Sequence, residues 1–284
     1  MRVLVLGAGG QVGAELARQA AERGDEVMAV GHAEVDIRDG YRVRELVRWF
    51  TPEVCFNAAA YTAVDRAESE PELAEEVNHL AARRVAEICR DMVVRLVHYS
   101  TDYVFDGTAT VPIPEHAPTS PLGVYGRTKL AGEAAVLRSG AEAWVVRTAW
   151  VYGLEGHNFV RTVLRLGRER GELRVVDDQR GSPTWARDLA AASLRLAGGG
   201  GPAGVCHLTN AGAATWYEVA VEVARLAGLD TRVLPIATAE YPTPARRPAY
   251  SVLDNARWRA LGWTPLRPWR EALAEFVPLL LARG

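Results

Sequence analysis

Lysine is almost absent from this 284-residue sequence, and long apolar runs, paired cysteines and an excess of either charge are missing as well. Lys129 is the only lysine among 33 lysines and arginines. Because the sequence uses arginine wherever a positive charge suffices, a surviving lysine suggests a position that needs a compact ammonium group able to deprotonate. Chance is the alternative explanation, and the residues around Lys129 must decide between the two.

The other absences exclude whole classes of protein. A net charge of -2 gives no positive field that would attract nucleic acid or an anionic membrane. No apolar run approaches the roughly 18 residues of a membrane-spanning helix. The three cysteines, Cys55, Cys89 and Cys206, stand singly, which predicts buried thiols in a reducing compartment and no disulfides. We therefore expect a cytoplasmic protein that binds neither nucleic acid nor membrane, with a homodimer left open.

Short apolar segments alternate with helical patterns along the first half of the chain. Strands are predicted at 2–6, 26–30, 53–57, 93–99 and 143–148. Helices are predicted at 11–23, 41–50, 72–90 and 123–138. This alternation indicates an α/β fold with a doubly wound parallel sheet that has helices on both faces. Strands buried on both faces are continuously apolar, as these segments are.

The pattern becomes less regular after Trp150. Helices are predicted at 157–170, 185–197, 216–227 and 268–282, and short strands at 173–176 and 205–208. The three prolines of 241–248 exclude regular helix or sheet there. We expect a nucleotide-binding domain over 1–150 and a smaller substrate-binding lobe over 151–284, interleaved with the last elements of the sheet.

A glycine-rich turn follows the first predicted strand directly. It reads Gly7-Ala8-Gly9-Gly10-Gln11-Val12-Gly13. Gly7 permits the tight turn, Gly10 lets backbone N–H groups approach a pyrophosphate, and Gly13 lets the helix pack closely on the sheet. A plain strand-to-helix turn is the alternative. The position on the first strand of a βαβ pattern favours dinucleotide binding, and with it a Rossmann-type fold.

The end of the second predicted strand has no acidic residue to hold the ribose hydroxyls of NAD or to repel a 2′-phosphate. No arginine follows immediately to favour NADPH, so either NADPH or NADH is the expected cofactor. Asp36 and Ile37 come shortly afterwards and could contact the adenine. A carboxylate that caps a helix or loop is an equally good interpretation of Asp36.

Tyr125 and Lys129 form a Tyr-x-x-x-Lys pair in a predicted helix, so their side chains share one face. A phenol has a pKa near ~10, which is high for proton transfer at neutral pH. A neighbouring ammonium lowers that pKa and can also bind the ribose hydroxyls of the cofactor. The pair is common on solvated helices, but the position of the only lysine within it favours catalysis.

Ser100 and Thr101 follow the strand predicted at 93–99, at the edge where ligands bind in such sheets. A hydroxyl at this place can hydrogen-bond a carbonyl oxygen and polarise it during reduction. Residue type alone leaves both residues as candidates. A capped strand end or a turn is the structural alternative.

These motifs resemble the dTDP-4-dehydrorhamnose reductases, a family of extended short-chain dehydrogenase/reductases. The resemblance covers nearly the whole chain. Its most specific segments are Ser100-Thr101-Asp102-Tyr103-Val104-Phe105 and Tyr241-Pro242-Thr243-Pro244-Ala245-Arg246-Arg247-Pro248. It implies reduction of the C4 ketone of dTDP-4-dehydro-L-rhamnose to dTDP-L-rhamnose, the last step of dTDP-rhamnose biosynthesis, by NADPH or NADH.

The resemblance also implies roles for individual residues. Tyr125 would donate the proton, Lys129 would adjust the pKa of Tyr125 and bind the ribose of the cofactor, and Thr101 would orient the ketone. The implied cofactor contacts are Gly7, Gly10, Gln11, Val12, Gly13, Asp36, Ile37, Ala60, Tyr61, Thr62, Tyr125 and Lys129. The implied substrate contacts are Thr101, Asp102, Tyr103, Trp150 and Arg246. Some members use magnesium, for which Glu15 is a candidate, but no full ligand set matches and we predict no metal.

Two alternative functions stay open. The chain could be another sugar-nucleotide reductase, epimerase or dehydratase, although a dehydratase would need an acid after Asp102, where Tyr103 stands. It could also be non-catalytic, like the regulatory subunit of methionine adenosyltransferase, which has similar motifs. The presence of Thr101, Tyr125 and Lys129 together favours an active enzyme.

Overall fold

The computed structural model describes residues 1–199 and 201–283. Their strands are β1 (Arg2–Leu6), β2 (Glu26–Val30), β3 (Val54–Asn57), β4 (Arg95–Thr101), β5 (Ala143–Thr148), β6 (Val151–Tyr152), β7 (Glu172–Val176), β8 (Arg180–Gly181), β9 (Thr184–Trp185), β10 (Gly204–His207), β11 (Ala214–Thr215) and β12 (Arg232–Ile236). Their helices are α1 (Gln11–Glu22), α2 (Gly40–Phe50), α3 (Val64–Ala67), α4 (Pro71–Glu75), α5 (Ala82–Asp91), α6 (Val124–Arg138), α7 (Phe159–Glu169), α8 (Ala186–Ala197), α9 (Trp216–Leu226), α10 (Ala256–Ala260) and α11 (Trp269–Leu281).

Six strands form one parallel sheet in the order β10-β5-β4-β3-β1-β2. Its four central strands are buried along almost their whole length, because each needs apolar side chains for both faces. One face packs against α1 and α8, and the other against α2 and α5. The predicted α/β fold with a doubly wound parallel sheet is confirmed.

The chain beyond Trp150 contributes to two different layers. Helix α8 packs against α1, and β10 extends the sheet beside β5. Helices α7, α9 and α11 instead enclose a separate apolar core with residues such as Val163, Val223 and Phe276. A second lobe with its own core, interleaved with the sheet, is what the sequence predicts. The boundary at residue 150 stays a prediction.

The helix predicted at 72–90 is interrupted by a π-helical turn, Glu76–Ala81, between α4 and α5. The turn brings Asn78 close to α6, where a Cβ on Gly132 would lie 2.1 Å from the Asn78 carbonyl oxygen. The buried Asn78 amide bonds the backbone N–H and C=O of Tyr61 and the hydroxyl of Thr128. The turn therefore fixes Tyr61 against the helix that carries Tyr125 and Lys129.

Strand β12 is absent from the sequence prediction, and it pairs with β7 in a small parallel sheet. Arg232 and Pro235 are exposed, Val233 and Leu234 are half-buried, and only Ile236 is buried. Pro235 has no backbone N–H to donate, so the segment has neither a continuous apolar run nor a regular alternation that would predict a strand. The three cysteines are free and buried, as predicted. Within the described ranges, no helix has the length and apolarity required to cross a bilayer.

Candidate active site

Three neighbouring cavities surround the candidate site; A and B lie at the carboxyl ends of the sheet strands, and C lies in the second lobe. Cavity A has a volume of about 490 Å³, cavity B about 580 Å³ and cavity C about 680 Å³. Cavities A and B share Gly10, Ala58 and Ala60 in their walls, and cavities B and C share Trp216. Cavity A thus adjoins cavity B beside the glycine-rich turn, and cavity C adjoins cavity B at Trp216.

Cavity A begins at the glycine-rich turn. Gly7 has φ 81°, and a Cβ there would lie 2.6 Å from the Ala59 backbone nitrogen. A Cβ on Gly13 would lie 2.2 Å from the Gly7 carbonyl oxygen, so α1 approaches the sheet only because this residue is glycine. Gly10 precedes α1, whose free N–H groups are a site for anions. The turn therefore fits a dinucleotide pyrophosphate.

Asp36 and Ile37 line the far end of cavity A, together with Arg38. The Arg38 guanidinium bonds Asp36 at 2.6 Å, and this hydrogen bond lowers the pKa of the Asp36 carboxyl. Sequence reasoning considered the end of β2 together with Asp36 and Ile37, and it missed Arg38, which stands two positions after Asp36. Its positive charge suits a 2′-phosphate.

The remaining predicted cofactor contacts divide between the two cavities. Ala60 lines both, Tyr61 lines cavity A, and Gln11, Val12 and Thr62 line cavity B. Tyr61 is held on its other side by Glu70, which accepts a hydrogen bond from the Tyr61 hydroxyl at 2.5 Å. The structure thus places this predicted set along one continuous path.

Cavity B brings together Thr101 from the end of β4 and Tyr125 and Lys129 from α6. The edge of the Tyr103 ring packs on Tyr125, with ring centroids 5.6 Å apart and planes at 75°. Asp102 also lines this cavity. All three predicted catalytic groups therefore share one cavity, at the meeting point of A and C.

Burial raises the pKa of Tyr125 to about 12, and a hydrogen bond with Thr101 partly opposes this rise. The Lys129 ammonium donates to the Tyr99 carbonyl oxygen at 2.5 Å, and burial lowers the Lys129 pKa to about 8. The sequence led us to expect an ammonium that lowers the Tyr125 pKa. In this geometry burial is the largest influence on the Tyr125 pKa, and the Lys129 ammonium is bonded to a backbone carbonyl of β4.

A buried ion pair lies behind Lys129. Arg147 on β5 makes a bidentate contact with Glu133, one turn beyond Lys129 on α6, with Nη2 and Oε2 2.7 Å apart. Ser100 donates its hydroxyl to the same carboxylate. Glu133 raises the Lys129 pKa against the effect of burial. Glu133 was missed as a functional residue, although its position four residues after Lys129 was a usable signal.

Asp102 is 1% exposed and has hydroxyl groups as partners of both carboxylate oxygens. Thr101 Oγ1 lies 3.0 Å from Asp102 Oδ1, and Ser251 Oγ lies 2.5 Å from Oδ2. Burial raises the pKa of Asp102 to about 6, and these hydrogen bonds partly oppose the rise. Ser251 is 149 positions away in the chain, so sequence spacing gave no signal for it.

Trp150 and Trp216 stack at one side of cavity B, and Trp216 also lines cavity C. Their rings stack with centroids 3.5 Å apart and planes at 7°. Trp150 has φ 48°, a left-handed conformation that costs about 1–3 kcal/mol in a non-glycine residue. A Cβ on Gly181 would lie 2.4 Å from the Trp150 ring, so glycine is required beside it. Trp150 was predicted to contact substrate, and Trp216 was missed.

The proline-rich loop at 241–248 contributes Arg247 to cavity C, whereas its neighbour Arg246 is exposed. The sequence favours a diphosphate contact by the paired arginines of this loop, with Arg246 as the named candidate; of the two, Arg247 lines cavity C, and the role of Arg246 stays a prediction. Arg247 bonds Asp65 of α3 at 2.8 Å and also contacts Thr243. The alternation of exposed and inward positions along this loop cannot be determined from three prolines alone.

No cluster of three or more His, Cys, Asp or Glu side chains within residues 1–199 and 201–283 is arranged to hold a metal ion. Glu15, the candidate magnesium ligand, is buried, and its carboxylate bonds Arg18 at 2.6 Å.

Comparison with known proteins identifies similar chains over the full length. The profile of the family described as the RmlD substrate binding domain matches residues 1–281. A dTDP-4-dehydrorhamnose reductase of Streptomyces griseus is 47% identical over 289 residues, covering 100% of this chain and 95% of that protein. A probable dTDP-4,6-dihydroxy-2-methyloxan-3-one 4-ketoreductase of Streptomyces antibioticus is 47% identical over 284 residues, covering 99% and 96%. The crystal structure of dTDP-4-dehydrorhamnose reductase from Bacillus anthracis in complex with NADP has a TM-score of 0.95 and 36% identity, covering 98% of this chain and 99% of that one.

Proposed function

This chain belongs to the RmlD substrate binding domain family, and from that premise we propose that it reduces the C4 ketone of dTDP-4-dehydro-L-rhamnose to dTDP-L-rhamnose. It is an NAD(P)H-dependent oxidoreductase that acts on a sugar nucleotide. The observation that carries the assignment to ketone reduction is the presence of Thr101, Tyr125 and Lys129 together in cavity B, which adjoins both A and C. The position of the ketone follows the names of the relatives.

The two outer cavities suit the two ligands of this reaction. The glycine turn and Arg38 of cavity A suit the diphosphate and adenosine end of NADPH or NADH. Cavity C carries Arg170, Arg174 and Arg247 in its wall, which suit the diphosphate of a sugar nucleotide. The reacting ends of both ligands would then meet in cavity B.

The chain's own residues supply proton transfer and orientation. When bound, the reduced nicotinamide supplies the hydride that the ketone carbon accepts. Tyr125 donates its proton to the ketone oxygen, and the elevated Tyr125 pKa keeps that proton in place until negative charge develops on the oxygen. Thr101 donates a hydrogen bond to the same oxygen. Lys129, held by the Tyr99 carbonyl, places positive charge on the side of α6.

The stacked tryptophans make one side of cavity B apolar. Trp150 and Trp216 form an apolar wall of cavity B, where exclusion of water strengthens the hydrogen bonds to the reacting oxygen. The left-handed backbone of Trp150 is retained because Gly181 leaves room for its ring. We infer that Trp150 contacts the sugar through the ring atoms that Trp216 and Gly181 leave uncovered.

A second candidate substrate is another dTDP-linked 4-keto-6-deoxy sugar. This alternative is favoured by the Streptomyces antibioticus relative, which is as similar to the chain as the Streptomyces griseus enzyme and carries the name of a different 4-ketoreductase. The reaction at the ketone would be the same, so the residues of cavity B do not discriminate between the two. Discrimination would depend on contacts with the other sugar hydroxyls.

The test is incubation of the purified chain with NADPH or NADH and each of two substrates. These are dTDP-4-dehydro-L-rhamnose and dTDP-4-dehydro-6-deoxy-D-glucose, with the cofactor absorbance and the isolated product both measured. We expect cofactor oxidation and dTDP-L-rhamnose from the first substrate, at a higher kcat/KM than with the second. Preference for the second substrate would replace the proposed substrate, and absence of turnover with both would refute the function.

The division into a domain over 1–150 and a lobe over 151–284 is part of the same proposal. The separate core of α7, α9 and α11 supports it, and cavities B and C lie against that lobe. The homodimer, the cytoplasmic location and the absence of nucleic-acid binding stay predictions from the sequence.

A further inference from the structure

The hydroxyl of Thr101 has one hydrogen and two lone pairs to distribute. The backbone N–H of Tyr103 donates to Thr101 Oγ1 at 3.1 Å and uses one lone pair. The hydrogen and the other lone pair remain for two neighbours, Asp102 Oδ1 at 3.0 Å and cavity B. If Asp102 takes the hydrogen, the lone pair faces cavity B, and if Asp102 donates to the lone pair, the hydrogen faces cavity B.

An ionised Asp102 can only accept hydrogen bonds, so it takes the Thr101 hydrogen. Thr101 then presents a lone pair to cavity B, where it can accept the proton of the Tyr125 phenol, which lines the same cavity. A ketone oxygen can likewise only accept hydrogen bonds. In this state Thr101 cannot donate to the ketone, and the Tyr125 proton is directed at Thr101 instead.

Protonation of Asp102 reverses the direction of these hydrogen bonds. The Asp102 O–H donates to Thr101 Oγ1, which fills the second lone pair and directs the Thr101 hydrogen into cavity B. The Tyr125 phenol then has no acceptor in Thr101 and is released to face the ketone. Only this state provides the ketone oxygen with two donors at once.

Ser251 decides which oxygen of Asp102 carries the proton. Its hydroxyl donates to Oδ2 at 2.5 Å, and both residues are 1% exposed. Because Oδ2 accepts that hydrogen bond, an acidic proton is directed to Oδ1, the oxygen that faces Thr101. The segment after the proline-rich loop thus controls a hydrogen bond at the end of β4.

We propose that Asp102 acts as a neutral carboxylic acid that turns the Thr101 hydroxyl toward the ketone, with Ser251 selecting the oxygen that carries its proton. Asp102 is in this sense a positioning residue that acts through Thr101. The inference rests on the proposed function, because it concerns the reduction of a ketone in cavity B.

The surroundings of Asp102 support a neutral acid. Its donors are hydroxyl and backbone groups, and burial is the largest influence on its pKa. The titratable groups that face it are Tyr103 from the same turn and Tyr125 from α6. Asp65 of α3 and Arg247 of the proline-rich loop form an ion pair beyond Tyr103. A substrate that covers cavity B removes water and raises the Asp102 pKa further.

The first test is the pH dependence of kcat with dTDP-4-dehydro-L-rhamnose and saturating NADPH. Since the protonated form is active, wild-type kcat should fall as pH rises through the Asp102 pKa. In Asp102→Asn, Ser251 can donate to the amide oxygen, which leaves an N–H donor for Thr101 at every pH. This variant should keep kcat within about tenfold of wild type and lose that pH-dependent fall.

Ser251→Ala should keep the fall in kcat and shift it to a different pH. Loss of a donor to the carboxylate destabilises its ionised form, so the fall in kcat should move to higher pH by about one unit. Ser193→Ala is the matched control, since Ser193 is equally buried and bonds the Leu189 carbonyl within α8. The control should leave the pH profile unchanged.

A second readout needs no turnover. The infrared difference spectrum between wild type and Asp102→Asn should contain a carboxylic-acid C=O band that disappears as pH rises through the same pKa. The proposal is overturned if Asp102→Asn is as inactive as Thr101→Val, if its kcat keeps the wild-type pH dependence, or if Ser251→Ala shifts the fall to lower pH. Wild type that turns over no keto sugar refutes the proposed function, while the infrared band still reports the state of Asp102.

Discussion

Two buried acidic side chains lie beside the Thr101, Tyr125 and Lys129 site, and their partners differ in kind. Glu133 is paired with the guanidinium of Arg147, which stays charged at every working pH. Asp102 is bonded to the hydroxyls of Thr101 and Ser251 instead. A carboxylate held by a cation provides a constant field, whereas one held by hydroxyl groups can change its protonation. The Glu133 carboxylate is therefore the electrostatically fixed side of the site, and the Asp102 carboxylate is the adjustable side.

The two regions converge on a single phenol. From the fixed side, Glu133 favours the charged form of Lys129 against the effect of burial. From the adjustable side, Asp102 determines whether Thr101 accepts from Tyr125 or donates to the ketone. The contrast between them can be tested by removing the phenol, by removing one carboxylate at a time and by titrating the ammonium.

The largest effect is expected from Tyr125→Phe, since both regions act through this hydroxyl. Loss of the proton donor should lower kcat by about 10²–10⁴-fold, while the Kd for NADPH, measured by fluorescence titration, stays close to wild type. A variant that loses cofactor binding together with activity would show that Tyr125 holds the site together rather than donating a proton.

Glu133→Gln should have the next largest effect, because it leaves Arg147 charged and buried without its carboxylate. The free energy of unfolding in urea should fall by about 3–5 kcal/mol. The matched control is Glu169→Gln, which breaks the exposed pair with Arg165 on α7 and should cost less than about 1 kcal/mol.

Asp102→Asn sharpens the same comparison within the unfolding experiment. Asp102→Asn leaves no buried cation without a partner, so it should lower the free energy of unfolding by much less than Glu133→Gln does. If the two substitutions destabilise the protein equally, the distinction between a fixed and an adjustable side is wrong.

The smallest of these effects is the pH dependence contributed by Lys129. Its pKa is lowered from 10.5 to about 8 on folding, so between these values the unfolded chain binds more protons and stability rises with pH. The rise should be absent from Lys129→Met, and the difference between the two proteins should change by roughly 2–3 kcal/mol over this range. A difference that stays constant with pH would mean that the ammonium is not buried as described.

The elements that sequence predicted best are those whose environment is uniform. Strands β1, β3, β4 and β5 are apolar because both of their faces are covered, and the glycine turn is recognisable because Gly7 and Gly13 have no room for a Cβ. The i, i+4 spacing of Tyr125 and Lys129 likewise fixes their common helix face. In each of these cases the physical cause lies within a few residues of the pattern.

The parts that sequence did not predict depend on contacts between distant segments. Ser251 reaches Asp102 across 149 positions, and Trp216 reaches Trp150 only because the second lobe folds against β5. Strand β12 contains exposed residues and a proline, which are tolerated in a small two-stranded sheet, so its own sequence does not differ from that of a loop. These contacts follow from the tertiary fold, which local patterns do not specify.

The most direct measurement of the central claim is the destination of a labelled hydride. The chain is incubated with NADPH that carries deuterium at both C4 positions of the nicotinamide and with dTDP-4-dehydro-L-rhamnose, and the product is examined by NMR. We predict one deuterium, bonded to C4 of the sugar in dTDP-L-rhamnose. Deuterium at another carbon, or a converted sugar that contains none, would contradict the account.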